Sequence, residues 1–339
     1  MATKIGINGF GRIGRQTLRA IKKYHPDELE IVAINSPANA ETLARLIKYD
    51  SDYGHYDGTV EMGDSCLIID GKKVKVTAAK EPKDIPWEDV GAEIVIESAG
   101  PFRAREKASG HLERGAKKVL ITAPVRTKDE DITIVYGVNE DKYDPSNHHI
   151  ISNASCTTNC VAPIAKVLND SFGIAKGFIS TIHAYTSDQR LLDNSHKDAR
   201  RGRSAAMNII PTSTGAGPAT ARVIPELQGK ITGIAYRVPT SVVSLTDFSV
   251  MLERNVTVDE VNGALKAAAE SFLKGIMEYC DEPLVSSDFK GNPASSIVDA
   301  PSTMIADSSM VKVLSWYDNE WGYAARTADV AIFIAQKGI

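Results

Sequence analysis

Lys4-Ile5-Gly6-Ile7-Asn8-Gly9-Phe10-Gly11-Arg12-Ile13-Gly14 reads as a short apolar strand that enters a glycine turn and then a helix. The helix continues to about Tyr24, with apolar residues on one side. A lone G-x-G-x-x-G is a weak signal, but between a strand and a helix it is a strong one. Gly9 permits the tight turn, Gly11 lets a pyrophosphate approach the backbone, and Gly14 allows close helix–strand packing. Arg12 and Ile13 open the helix whose unpaired N–H groups would hold the phosphates. The stretch therefore points to a dinucleotide-binding βαβ unit.

Working outward, a second strand follows at Glu30-Ile31-Val32-Ala33-Ile34-Asn35. Further strands are expected at Ala92–Glu97, Lys118–Thr122, Asp131–Tyr136 and His149–Ser152, with a helical segment from Pro101 to Arg114. Strands alternating with helices predict a doubly wound parallel (Rossmann) sheet over residues 1–155. The tip of the second strand reads Asn35-Ser36-Pro37, without the carboxylate that normally bonds the adenosine ribose. A carboxylate repels the 2′-phosphate of NADP, whereas the Ser36 hydroxyl can donate to it, so the tip leans toward NADP or toward use of both cofactors.

The segment Ser152-Asn153-Ala154-Ser155-Cys156-Thr157-Thr158-Asn159-Cys160 puts a thiol where a strand turns into a helix. Val161, Ile164, Ala165, Leu168 and Phe172 keep helical spacing, and Ser155 suits the N-cap. Cys156 then sits in the first turn, where the helix dipole and free N–H groups favour thiolate over thiol. The competing reading is a small buried hydrophobe. His183, at the end of an expected strand from Gly177, is a candidate base for the thiol. Asn194 to Arg203 forms a basic stretch, and Pro211-Thr212-Ser213-Thr214-Gly215-Ala216-Gly217 reads as a hydroxyl- and glycine-rich turn suited to an oxyanion. Together with Arg237, whose planar fork suits phosphate, these suggest phosphate chemistry. Strands at Gly233–Arg237, Ser244–Glu253 and Met310–Trp316 predict an α+β domain with a mostly antiparallel sheet over 156–319. A final helix, Tyr323 to Lys337, is expected to return to the first domain, which residues 320–339 complete.

The chain has 339 residues and a net charge of −4, which offers no bulk attraction to nucleic acid or anionic membrane. Apolar stretches are of strand length, and the N-terminus enters a strand without a signal-peptide apolar region. Four scattered cysteines make no disulfide framework, and Cys156 and Cys160 lack the neighbours of a zinc site. The expected location is cytoplasmic, with no metal.

Over its whole length the chain resembles the phosphorylating glyceraldehyde-3-phosphate dehydrogenases. The resemblance rests on Ile7–Arg15, Lys48-Tyr49-Asp50-Ser51, Ser152–Cys160, Thr181-Ile182-His183-Ala184-Tyr185-Thr186, Ile210–Gly215, Arg237-Val238-Pro239-Thr240 and Trp316–Tyr323. It implies that Cys156 attacks the aldehyde of glyceraldehyde 3-phosphate while His183 takes the hydroxyl proton. Hydride passes to the nicotinamide, and inorganic phosphate cleaves the resulting thioester to 1,3-bisphosphoglycerate. It further implies that Thr186, Asp188 and Arg237 border the substrate phosphate, and Ser155, Thr157, Arg201, Thr214 and Gly215 the inorganic phosphate. Asn319 would fix the nicotinamide amide, with Tyr323 beside it. The loop from about Ser187 to Ser204 would pack beside a neighbour's cofactor in a homotetramer.

Relatives specific for NAD commonly carry Leu-Pro before the His-Lys-Asp segment, and NADP users often carry Ala-Ser. Here the pair is Asn194-Ser195. Ser195 matches the NADP pattern, and Lys80 lies in a loop from which a cation reaches the adenosine side. NADP is the expected cofactor, with NAD also accepted. Erythrose-4-phosphate dehydrogenase is the nearest rival, but its members usually lack the threonines kept here as Thr186 and Thr214. A non-catalytic binding role is the other alternative, and no residue favours it.

Overall fold

Thr3–Asn8 forms a strand whose Ile5 and Ile7 are fully buried, inside a nine-stranded sheet. The computed structural model describes residues 2–125 and 129–339. The strand order is Ile132–Thr133, Ile150–Ser152, Lys118–Ile121, Ile94–Glu97, Thr3–Asn8, Leu29–Asn35, Lys72–Thr77, Cys66–Ile69, Val60–Gly63. From the first of these through Lys72–Thr77 every pairing is parallel. The last two strands add antiparallel, through turns at Asp64-Ser65 and Asp70-Gly71. Ser65, Asp70 and Gly71 take positive φ (53°, 50° and 76°), as tight hairpin turns require. The chain moves outward from Thr3–Asn8 to Leu29–Asn35 and returns on the other side at Ile94–Glu97. A topological switch point therefore opens at the carboxyl ends of Thr3–Asn8 and Ile94–Glu97, where open α/β sheets bind ligands.

Two expected elements change in this part of the chain. Pro101–Arg114 is a run of 3₁₀ turns at Gly100–Phe102 and Ser109–Arg114, with α-helix only at Arg105–Ala108. Gly110 faces the Lys83 backbone there, and a Cβ would stand 2.8 Å from Lys83 N, so close approach shapes the segment. The Asp131–Tyr136 strand shortens to Ile132–Thr133.

The chain divides into two units. The first holds the chain through Ile134, Asp141–Ala154 and Ala324–Ile339; the second holds Val135–Glu140 and Ser155–Tyr323. The second unit is built on a seven-stranded sheet in the order Ile210–Ser213, Ile231–Val238, Ile174–Ala184, Ser244–Leu252, Met310–Tyr317, Ser296–Ala306, Met277–Cys280. Four of its pairings are antiparallel and two parallel. Ser296–Ala306 escaped the sequence reading because it carries Pro301 and its register shifts between Asp299 and Met304. The expected turn at 211–217 is instead the end of the strand Ile210–Ser213 followed by the helix Ala216–Val223. The helix Cys156–Phe172 is buried on nearly every side. That explains why its apolar periodicity spills over its whole circumference. Among the described residues no helix is long and apolar enough to cross a membrane.

Candidate active site

In the second unit, Ser155 caps the helix Cys156–Phe172, its side chain accepting from Thr158 N at 3.1 Å. Ala154, just before the cap, is buried with φ +52°. A left-handed non-glycine residue at this point costs conformational energy and turns the chain sharply into the helix. Cys156 Sγ lies 3.5 Å from His183 Nε2. His183 ends the strand Ile174–Ala184, and Arg237 on Ile231–Val238 is its direct partner in register. Arg237 Nη1 donates within 2.8 Å of His183 Nδ1, 3.0 Å of Ala184 O and 3.4 Å of Thr186 Oγ1. Val243, β-branched yet at φ +69°, precedes Ser244, which accepts from Ala184 N and donates to Asn319 Oδ1 at 3.0 Å. That bond orients the Asn319 amide and leaves its Nδ2 as the available donor.

Burial works against the expected thiolate. Burial pushes the Cys156 thiol up, against the opposing pull of the Arg237 charge and the Thr157 hydrogen bonds. Burial, and then Arg237, push His183 down to about 3. The helix start does favour an anion, but desolvation outweighs it here. Tyr317, not among the expected site residues, joins the site: its hydroxyl lies 2.9 Å from both Thr157 Oγ1 and Thr181 Oγ1. Its signal was its place in the Trp316–Tyr323 motif.

The anion-site residues fall into two linked groups. Thr186 meets Arg237, and two buried donors there, Arg237 Nε and Gln189 Nε2, have no partner among the described residues. Unsatisfied buried donors are costly, and a phosphate oxygen would satisfy them. Arg201 donates to Thr212 Oγ1 at 2.9 Å and to Ser213 O at 3.2 Å, beside Thr214 and Gly215. Thr214 Oγ1 accepts from Ala216 N, and a Cβ on Gly215 would meet nothing within 4 Å, so the backbone there is open to a ligand. Asp188, expected near the substrate phosphate, forms an ion pair with Arg201, and its carboxyl is held below the usual range chiefly by that partner's hydrogen bond against a burial penalty. An ionised Asp188 repels phosphate directly, so its contribution to an anion site is to aim Arg201.

In the first unit, the glycine turn fits a dinucleotide. Gly9 has φ +85°, and a Cβ on it would stand 2.4 Å from Ala99 N. At Gly14 it would stand 2.3 Å from Gly9 O, whereas at Gly11 there is open space. Gly11 caps the helix Arg12–Tyr24 without a side-chain bond, and the helix start suits a phosphate. Arg12 is anchored by Asp50 at 2.5 Å and Asp52 at 3.6 Å, and Ile13 is half-buried beside it. Behind the turn lies a buried network that sequence reading missed. Glu97 accepts from Asn8 Nδ2 and Ala99 N, both at 2.6 Å, and meets His111 Nε2 at 2.8 Å. Asn35 donates to Asn8 Oδ1 and Ala79 O. These bonds tie together the ends of three strands around the switch point.

Ser36 is buried at the tip of Leu29–Asn35, its N donating to Thr77 O and its Oγ accepting from Ala38 N. Lys80 is exposed in the loop that Asn35 grips through Ala79. Ser195 lies in the second unit on an exposed loop, bonded to its own neighbour Asn194. Tyr323 is buried at the start of the helix Trp321–Lys337.

The comparisons agree with this division of labour. Residues 3–105 match the model of the glyceraldehyde 3-phosphate dehydrogenase NAD binding domain, and residues 155–319 match that of its C-terminal domain. The chain is 57% identical to the glyceraldehyde-3-phosphate dehydrogenase of Geobacillus stearothermophilus over 339 residues, covering all of both chains. Identity to glyceraldehyde-3-phosphate dehydrogenase 1 of Bacillus subtilis is 56%, again over the full length of both. For glyceraldehyde-3-phosphate dehydrogenase 2 of Trichormus variabilis it is 52% over 99% of each. With a cysteine–histidine pair, a dinucleotide turn and end-to-end identity above one half, the chain belongs to the glyceraldehyde-3-phosphate dehydrogenase family.

Proposed function

We propose that this chain catalyses the reversible oxidative phosphorylation of D-glyceraldehyde 3-phosphate to 1,3-bisphosphoglycerate through a thioester on Cys156. The observation that carries the reading is the Cys156–His183 pair at 3.5 Å on a capped helix start. Cys156 attacks the aldehyde carbon, and His183 Nε2 accepts the proton of the adduct's hydroxyl. A nicotinamide dinucleotide, when bound, supplies the hydride acceptor. Gly9, Gly11, Arg12, Ile13 and Gly14 would hold its pyrophosphate, and Asn319 Nδ2 its carboxamide, with Tyr323 nearby. Thr186 and Arg237 take the substrate's phosphate. Ser155, Thr157, Arg201, Thr214 and Gly215 receive inorganic phosphate, whose oxygen attacks the thioester and returns the sulfur to Cys156. The Thr157 hydroxyl, already shared with Tyr317, has its remaining capacity for this role. Mixing enzyme, cofactor and substrate without phosphate, then quenching, should trap one acyl group on Cys156 by mass spectrometry. No acyl adduct would refute the reading.

We further infer that NADP is accepted, with NAD as an alternative. Support comes from Ser36 in place of a carboxylate, from Lys80 in the loop beside it, and from Ser195. A kcat/KM for NAD well above that for NADP would overturn this. A homotetramer is supported by Leu191, Leu192, Met207 and Ile209, which are 70–83% exposed on the Ser187–Ser204 loop and the segment after it. All four cysteines are free, which suits a reducing cytoplasm.

A further inference from the structure

Glu97 closes the strand Ile94–Glu97, buried behind the glycine turn, and among the described residues its side chain only accepts hydrogen bonds. Two groups that cannot be reversed set that polarity. On one side, Ala79 N donates to Asn35 Oδ1 at 2.9 Å, so Asn35 Nδ2 faces Asn8 Oδ1 at 2.8 Å. Asn8 Nδ2 is then left to donate to Glu97 Oε2. On the other side, the Trp87 indole N–H donates to His111 Nδ1 at 2.9 Å, which leaves the ring proton on Nε2, 2.8 Å from the same Oε2. Ala99 N donates to Oε1 at 2.6 Å. Burial pushes the Glu97 carboxyl up, against the pull of these bonds. A protonated Glu97 would meet a donor on every side and no acceptor for its O–H, so the wiring holds it ionised.

We propose that Glu97 is a positioning residue for the dinucleotide: its carboxylate grips the Ala99 N–H and so holds Ser98-Ala99 as a wall of the Gly9 turn before any ligand arrives. The contact is close. A Cβ on Gly9 would stand 2.4 Å from Ala99 N and 2.7 Å from both Ala99 Cα and Ser98 C. On the other flank, a Cβ on Gly14, in the helix Arg12–Tyr24, would stand 2.3 Å from Gly9 O. The turn therefore lies between a helix and this short segment, and it has little freedom while both stay in place. Ser98 N is tied to Asn8 O at 2.7 Å, and the next point of attachment of the wall is the carboxylate itself. The proposal rests on the reading of Gly9–Gly14 as the pyrophosphate site.

The same wiring dictates what an amide of equal shape would do. In Glu97→Gln the amide oxygen can keep both Asn8 Nδ2 and His111 Nε2, and the amide nitrogen then turns toward Ala99 N. Two donors face each other there, so the bond that is lost is the one to the wall. The opposite orientation sets the amide nitrogen against two donors instead of one. Glu97→Gln thus releases Ala99 and leaves the rest of the network in place. Trp87→Phe is its complement: it removes the outer donor to His111 and leaves the Ala99 bond intact.

The test is calorimetry of the full-length, nucleotide-free protein with ADP-ribose, which carries the pyrophosphate and no nicotinamide. Glu97→Gln should weaken binding about tenfold or more, the size expected for one lost bond to a charged group. KM for the cofactor should rise with it while kcat holds. Trp87→Phe should lower the melting temperature and leave the affinity for ADP-ribose unchanged. A further readout needs no variant to fold. In the wild type, amide hydrogen exchange of a peptide spanning Ala99 should be equally slow with and without ADP-ribose. Three results each overturn the proposal: Glu97→Gln binding ADP-ribose as the wild type does, Trp87→Phe weakening it as much as Glu97→Gln, or exchange around Ala99 that slows only when ligand is added. A wild type that does not bind ADP-ribose at all would instead bring down the reading of Gly9–Gly14, leaving Glu97 no ligand to position.

Discussion

Cys156 and His183 approach to 3.5 Å although one is carried by a helix start and the other by a strand end. Each is therefore fixed by an element with its own hydrogen-bond ladder, and the pair does not depend on loop order. Replacing Cys156 by Ala should abolish aldehyde oxidation, with a loss on the order of 10⁴-fold or more. Cofactor binding, followed by fluorescence or calorimetry, should persist. Aldehyde turnover that survived in Cys156→Ala would sink the covalent mechanism.

Cofactor choice should respond to the strand tip. Ser36→Asp introduces the carboxylate that this chain lacks, beside the loop carrying Lys80. We expect kcat/KM for NADP to fall by about 10- to 100-fold, or ~1.4–2.7 kcal/mol, while that for NAD holds or rises. Equal effects on both cofactors in steady-state assays would show that this tip does not read the 2′-position.

Asp50 provides a pH prediction. Burial alone would raise its carboxyl, but the backbone N–H groups of Asp52 and Tyr53 and the Arg12 guanidinium together hold it below the usual value. Its stabilisation is thus fully present above the unfolded pKa, about 4, and is lost as pH falls through the lower folded value. The difference in melting temperature between wild type and Asp50→Asn should be flat from pH 6 to 8 and shrink below about pH 4. Because Asp50 also anchors Arg12, KM for the cofactor should rise several-fold in the variant while kcat changes little. A melting-temperature gap that widened in acid would contradict the ion-pair account.

Tyr317 bridges two buried threonines, so Tyr317→Phe leaves both hydroxyls short of a partner. The expected loss is about 1–3 kcal/mol of stability, read by chemical denaturation. A variant as stable as the wild type would mean that water or rotation compensates.

Assembly is testable at the exposed apolar residues. Leu192→Glu combined with Ile209→Glu should yield a smaller species by light scattering if these side chains pack against neighbouring subunits. An unchanged mass for the double variant would argue that the loop is not an interface.

The sequence made the local elements legible and hid what depends on distant partners. The strand, glycine turn and helix over Lys4–Tyr24 were readable because spacing and glycine chemistry are local. So was the Ser155 cap. The burial that raises the Cys156 thiol, and the Arg237 charge that opposes it, depend on groups far along the chain and leave no local signal. The hairpins at 60–77 were missed, although Asp70-Gly71 is a hairpin signal, because only short alternating runs flank it. The strand at Ile210–Ser213 was taken for a turn, since Pro211 and two hydroxyl residues disguise an edge strand. The Glu97–His111–Asn8 network was invisible because its members lie far apart in sequence.

The allotment of chain segments has a consequence for synthesis. The helix that finishes the first unit, from Ala324 on, follows the whole second unit along the chain. The nucleotide-binding half, though encoded first, stays incomplete until the whole catalytic half has been made. A chain truncated before residue 324 should therefore hold a finished thiol site and an unfinished cofactor site. The order of maturation is the reverse of the order of translation.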